Sequence, residues 1–248
     1  MNILAIDTTG SAVTAAISAD TGLLGEVFIN GGQNHSVTLM PMIKRLLESV
    51  NMKVSDLTHI ACASGPGSFT GLRIGAATAK ALAYALNIPI VPVPTLDALA
   101  YNVFDINTII VPIMDAKRRQ VYTAFYERNA ENGMLNRLSD YRASDISEVL
   151  QELAAFNRRV IFLGDAVSVY CDTIFNNPFN LLYLTAPFPA VLQRASSVAG
   201  LAALLIHEGK TADSGSFIPF YLRKPQAERE RELRVSELRV SELRVSNG

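Results

Sequence analysis

The sequence carries no surplus of charge of either sign. Its 22 Lys and Arg against 23 Asp and Glu leave a net charge of −1, and no basic stripe stands out. It therefore lacks the electrostatic footprint of a protein that grips nucleic acid alone, and any nucleic acid is expected to reach it through a partner. Cysteine is scarce: Cys62 and Cys171 lie far apart in apolar surroundings, which suits buried free thiols better than a bridge or a metal site. The histidines His35, His59 and His207 are isolated, so no metal is expected, and His35 reads as a loop hydrogen-bonder. No apolar run reaches the roughly 18 residues of a membrane span. Met1 leads straight into a strand without a charged leader, so a cytoplasmic protein is expected. The glycine spacings of dinucleotide and Walker-type sites and the Gly-x-Ser-x-Gly elbow are also missing. With 49% hydrophobic and 18% charged residues, the chain is of globular composition.

What is present is organised around the stretch from His59 to Tyr101. It reads as a short apolar strand to Ser64, a break at Gly65-Pro66-Gly67, and a long helix of Ala, Leu and Gly ending near Asn87. A strand from Ile88 to Pro94 follows, whose prolines suggest an edge or an early end. Ser68 or Thr70 can cap the helix, and the turn could hold an anion. Gly71, Gly75, Ala79 and Ala83 form one row of small residues on this helix. Each Gly costs roughly 0.5–1 kcal/mol against Ala there, so the row must admit something close. Two readings remain open, a second helix from this or another chain and a core helix under a sheet.

Asn2 to Ser18 reads as strand, turn, strand, with the turn at Asp7-Thr8-Thr9-Gly10 and a third strand over Gly22 to Ile29. An acid at a strand end followed by hydroxyls and a Gly can face a phosphate or its metal, and is also a good hairpin turn. Ser36 can cap a helix reaching Val50, with Val37, Met40, Ile43, Leu47 and Val50 on one face. From Asn107 the pattern recurs: an apolar strand ends at Asp115, and a polar turn with Lys117-Arg118-Arg119, read as solvated, precedes a returning strand. Asp7 and Asp115 thus hold matching places, which predicts a duplicated α/β architecture with two related domains facing a cleft. Further on come a helix over Ser144 to Phe156, a strand Arg159 to Asp165 ending Gly-Asp, a helix over Ser196 to His207 and a last strand over Phe217 to Leu222. The chain closes on three copies of ELRVS from Glu232, a five-residue period that keeps no consistent face and reads as a low-complexity appendage.

The string SGPGSFTGLRIG at 64–75, with LAIDTTGSAVTAAI near the start, NHS at 34–36, MDAKRRQVY at 114–122 and FYLRKPQAE at 220–228, resembles the bacterial TsaB (YeaZ) family. The likeness covers nearly all of the chain before the repeats. It implies an α/β fold of two ribonuclease-H-like domains of the actin, sugar-kinase and heat-shock ATPase superfamily, here 1–105 and 106–226, with the repeat tail at 227–248. It also implies a role in making threonylcarbamoyladenosine in tRNAs that read codons beginning with A. The part implied is that of a non-catalytic scaffold without a cofactor, partnered by a TsaD-like catalytic subunit and a TsaE-like ATPase, homodimeric when alone and touching tRNA only through the complex. Where TsaD-like proteins carry a His-x-x-x-His metal pair, this sequence has Thr95 and Leu99, which cannot replace imidazole ligands. Asp7, Thr8, Gly65 and Asp115 are the candidate lining of a vestigial nucleotide cleft. Met40, Ile43, Leu47, Gly71, Leu72, Gly75 and Ala79 are expected to form the association surface. The alternative activities are a small-molecule kinase or ATPase of the same superfamily and, ranked last, a metallopeptidase.

Overall fold

The computed structural model describes residues 1–179 and 181–223. The ELRVS repeats, and with them the expected appendage at 227–248, lie outside the described residues.

The first half builds β1 (Ile3–Asp7), β2 (Val13–Ala19), β3 (Gly22–Ile29), α1 (His35–Ser49), β4 (His59–Gly65), α2 (Phe69–Leu86), β5 (Ile90–Pro94) and α3 (Thr95–Tyr101). Its sheet runs β3-β2-β1-β4-β5, antiparallel across the first three strands and parallel across β1, β4 and β5. The second half builds β6 (Ile109–Asp115), β7 (Gln120–Thr123), β8 (Tyr126–Arg128), β9 (Leu135–Arg137), β10 (Arg142–Asp145), α4 (Ile146–Ala154), β11 (Val160–Leu163), α5 (Ala166–Val169), α6 (Cys171–Phe175), β12 (Tyr183–Thr185) and α7 (Ala195–His207). Its main path, β10-β7-β6-β11-β12, repeats the same order and the same strand directions, with the β8–β9 hairpin inserted. This is the ribonuclease-H-like arrangement, present twice.

Alternation along β1 explains why both faces of the first sheet are covered. Leu4 and Ile6 meet Leu39, Ile43 and Leu46 of α1 and Ala76, Ala79 and Ala83 of α2. Ile3 and Ala5 meet Ala195, Val198 and Ala202 of α7. In the second sheet Val111 and Ile113 face Val149 and Leu153 of α4, while Ile110 and Met114 face Leu96 and Leu99 of α3. Helices α3 and α7 therefore lie between the sheets, and a strand buried on both sides needs the continuous apolar run seen in β1 and β6.

The chain order does not follow the lobes to its end. Residues expected in the second domain return to the first: α7 packs on β1 and β2, Ala212 bridges to Ile90, and Phe217 enters the first core. The expected strand over Phe217 to Leu222 does not form, and the segment belongs to no strand ladder. The Thr95–Tyr101 segment, which carries no glycine or cap that marks a helix start, is helical because Leu96, Leu99 and Ala100 fill the gap over the second sheet.

Candidate functional site

The first turn, Asp7 to Ser11, is built around the Asp7 carboxylate. Its Oδ1 accepts from Thr9 N at 2.8 Å and from Thr9 Oγ1 at 2.6 Å. The turn then locks onto α2: Thr8 Oγ1 donates to the Gly71 carbonyl at 2.7 Å, and Ser68 N donates to the Thr9 carbonyl at 2.7 Å. Here the small-residue row finds its purpose. A Cβ on Gly71 would overlap the Thr8 carbonyl oxygen, one on Gly67 would lie 2.7 Å from the Thr9 oxygen, and one on Gly75 would lie 2.6 Å from Thr8 Oγ1. What approaches α2 at Gly71 and Gly75 is this turn of the same chain, while Ala79 and Ala83 further along the row pack in the core under the first sheet, as the second of the two open readings has it.

Asp7 is 1% exposed and its Oδ2 has no hydrogen-bond partner among the described residues. Burial pushes its pKa up to about 6, the bonds from Thr9 pull it down, and the like charge of Asp165 adds to the rise. The second turn is arranged differently. Asp115 Oδ1 accepts from Lys117 N at 2.8 Å and its Oδ2 pairs with Lys117 Nζ at 2.6 Å, a contact that raises the lysine pKa. Asp115 N donates to Asp165 Oδ1 at 3.1 Å, and burial pushes the Asp165 carboxyl up. Lys117, Arg118 and Arg119 all have left-handed backbone, with φ of 61°, 56° and 63°. The basic cluster read as a plain solvated turn is thus a tightly wound one, and it turns Lys117 back onto the acid.

Between the turns lies a cavity of about 870 Å³, walled by Thr9, Gly10, Ser11 and Ser68 on one side and by Asp115, Lys117, Gly164 and Asp165 on the other. Of the four residues expected to line a nucleotide cleft, Asp115 does so. Asp7 and Thr8 sit behind the turn, and Gly65, at φ 119°, is covered by the Phe220 carbonyl. At the α2 N-terminus that could hold an anion, the N–H of the N-cap Ser68 is already bonded to Thr9. The Gly164-Asp165 pair was legible as a strand ending Gly-Asp, though not as a cleft wall. Thr95 Oγ1 accepts from Gly65 N at 3.0 Å, and Leu99 is 1% exposed in the core, so both fill structural places. Among the described residues no group of three or more His, Cys, Asp or Glu could hold a metal ion. Cys171 corrects its expectation: it is exposed and lies on the cavity wall, whereas Cys62 is buried.

The expected association surface also changes. Ile43, Leu47, Leu72 and Ala79 are buried in the lobe, and Gly71 and Gly75 lie under the Asp7 turn, because the helical stripe that seats a helix on its sheet is the most apolar one. Met40 alone of that set faces outward, 47% exposed. Also exposed are Val37 of α1 at 68% and, on α2, Tyr84 at 80% together with Ala77 and Ala81.

Residues 23–231 match the family model described as TsaD: tRNA N6-adenosine threonylcarbamoyltransferase. The chain is 35% identical to the tRNA threonylcarbamoyladenosine biosynthesis protein TsaB of Bacillus subtilis (strain 168), over 92% of this chain and 96% of that protein. It is 28% identical to the protein of that name from Escherichia coli (strain K12), over 90% and 95%. Among solved structures, YeaZ from Pseudomonas aeruginosa superposes with a TM-score of 0.76 at 23% identity, covering 89% of this chain and 99% of that one. That likeness concerns the fold. Among the described residues no helix is long and apolar enough to cross a membrane.

Proposed function

The chain belongs to the TsaB family of tRNA threonylcarbamoyladenosine biosynthesis proteins, and from that premise we propose that its part in making this tRNA modification is that of a non-catalytic scaffold. The observation that carries the reading is the internal satisfaction of the cleft. Ser68 N and the Asp115 carboxylate, groups that an active relative of this fold would turn toward phosphate or metal, are bonded to the chain's own atoms, and Thr95, standing where the resemblance implies a ligand histidine, accepts from Gly65 N. A catalyst needs such groups aimed at the reacting charge, and groups already bonded inward cannot stabilise it.

The scaffold surface is the outer side of α1 and α2, where Val37, Met40 and Tyr84 offer apolar area without a partner in the monomer. A TsaD-like catalytic subunit, whose family model this chain matches, is the partner that covers it, and a second copy covers it when the chain is alone. A TsaE-like ATPase joins that assembly. With a net charge of −1 the chain contributes no general grip on tRNA, which enters through the complex. The test is size-exclusion chromatography with light scattering, alone and with the TsaD-like subunit, on Met40→Glu with Tyr84→Glu. Loss of both associations with an unchanged circular dichroism melt supports the surface; retained association overturns it.

One observation favours a second reading. A cavity of about 870 Å³ is large enough for a nucleotide, so calorimetry with ATP and magnesium separates the scaffold from a small-molecule kinase or ATPase. Micromolar binding accompanied by turnover would favour the enzyme.

A further inference from the structure

The two lobes are joined covalently at two places, from β5 through α3 into β6 and from β12 back to α7. Asn102, just past α3, binds these crossings together: its Nδ2 donates to the carbonyls of Ala190 at 2.9 Å and Leu192 at 2.7 Å, and its Oδ1 accepts from Ser197 Oγ at 2.6 Å. Val191 and Leu192 form part of the cavity wall, so the paired crossings run along the base of the cleft. Two crossings held side by side define a single line about which the lobes can turn. A third connection away from that line removes the freedom.

The segment from Phe217 to Arg223 makes such a connection. Its start is anchored in the first lobe: Phe217 is 2% exposed, its carbonyl accepts from Lys80 Nζ at 3.1 Å, and Phe220 N donates to the Ser64 carbonyl at 2.6 Å. The Tyr221 ring packs on Phe69 with centroids 5.1 Å apart. Its end reaches the second lobe, where the Phe220 ring meets Tyr141 at 5.9 Å and Arg223 Nη1 donates to the Ala116 carbonyl at 3.1 Å. Arg223 also lies over the Tyr122 ring, 6.0 Å from its centroid. Residues Phe220 to Arg223 line the cavity. The segment belongs to no strand ladder and Phe220 remains 42% exposed, so its hold on the second lobe rests on a few side chains. Such weakly packed segments open at lower free energy than the cores they join.

We propose that residues 217–223 are a clasp that closes the mouth of the cleft and holds the lobes at one angle, and that releasing its second-lobe end lets the cleft open about the line marked by Asn102. The inference goes beyond the scaffold reading and holds for either reading of the cleft. It is tested on the full chain with nitroxide labels at the native, exposed Cys171 in the second lobe and at Asn30→Cys in the first, both on the cavity wall; Cys62 is buried and stays unlabelled. Pulsed dipolar spectroscopy is expected to give one narrow distance distribution, which Phe220→Ala with Arg223→Ala shifts longer by several ångströms and broadens. Arg223→Ala alone, which touches no core, gives a smaller shift of the same sign, and Arg223→Lys, which keeps a donor, reverses it. Should the double variant fail to fold, the Arg223 pair decides. An unchanged or shorter distance in the Arg223→Ala protein overturns the clasp.

Discussion

The two lobes carry the same strand order and place an acid at the end of the same strand, yet those acids live in different surroundings. Asp7 is sealed beneath its own turn by an 18-residue helix whose glycines admit Thr8. Asp115 faces the cavity with a lysine on it, because β11 is followed by helices of four and five residues that leave the second turn uncovered. The difference teaches that a repeated strand order sets where a carboxylate stands, while the length and bulk of the helix beside it set whether that carboxylate meets water, a cation or neither.

The contrast breaks most visibly at the helices. Gly75→Leu is expected to destabilise the fold strongly, since even a Cβ there would lie 2.6 Å from Thr8 Oγ1. Overpacking of a fitted core costs about 1–3 kcal/mol and more where backbone cannot yield. In the second lobe, Ser168→Leu on the exposed side of α5 should leave soluble yield and thermal melt unchanged. A Gly75→Leu protein with an unchanged melt would mean that the Asp7 turn can leave the helix.

Next in size are the glycines that end β4 and β11. Gly65 and Gly164 share a positive φ, 119° and 109°, where any side chain is strained. A Cβ on Gly164 would overlap the Ile113 carbonyl of the central strand, whereas one on Gly65 would meet the Phe220 carbonyl of the clasp. Gly164→Ala is therefore expected to cost about 4 kcal/mol from strain plus overlap, and Gly65→Ala less, because the clasp can shift. Denaturant melts of the pair rank them, and equal losses would show the clasp to be as rigid as β6.

The acids separate by pH. Asp7 rises from the ordinary 3.8 to about 6 on burial, so the folded protein holds its proton more tightly than the unfolded chain does. The associated stability is fully present below about pH 4 and is lost as pH rises through about 6, a change of about 3 kcal/mol. Asp7→Asn should keep the acceptor for Thr9, flatten stability between those limits and raise the melting temperature at pH 7.5. A variant whose pH profile matches the parent would place the titration elsewhere. The smallest effect belongs to the second turn. Lys117→Gly removes an ion pair whose lysine is 84% exposed and relieves a left-handed residue, so the two consequences offset within about 0.5 kcal/mol.

Much of this architecture is legible in the residues. The recurrence of an apolar strand ending in Asp, a polar turn and a returning strand announces the duplication, and the prolines of β5 announce a sheet edge, where the strand indeed lies. The site is less legible. Periodicity shows that α2 has a face of small residues but not what fills the space above it, because a backbone turn from residues 7–11 leaves no mark in the helix's own sequence. The same limit placed Ile43 and Leu47 on the surface: an apolar stripe on α1 looks identical whether it seats the helix on a sheet or docks a partner. Phe217 to Leu222 is an apolar run that reads as a strand, yet it joins no strand ladder.

By itself the sequence determined the α/β class, the repeated strand order and the family, since these follow from patterns of polarity, glycine and turn chemistry that act over a few neighbouring residues. Only the tertiary structure decided that Gly71 and Gly75 receive Thr8, that Asp7 is buried while Asp115 is paired, and that α7 and Phe217 return to the first lobe. Each of these joins segments that are distant in the chain. Their energies depend on which atoms share a volume, and a local pattern carries no record of that.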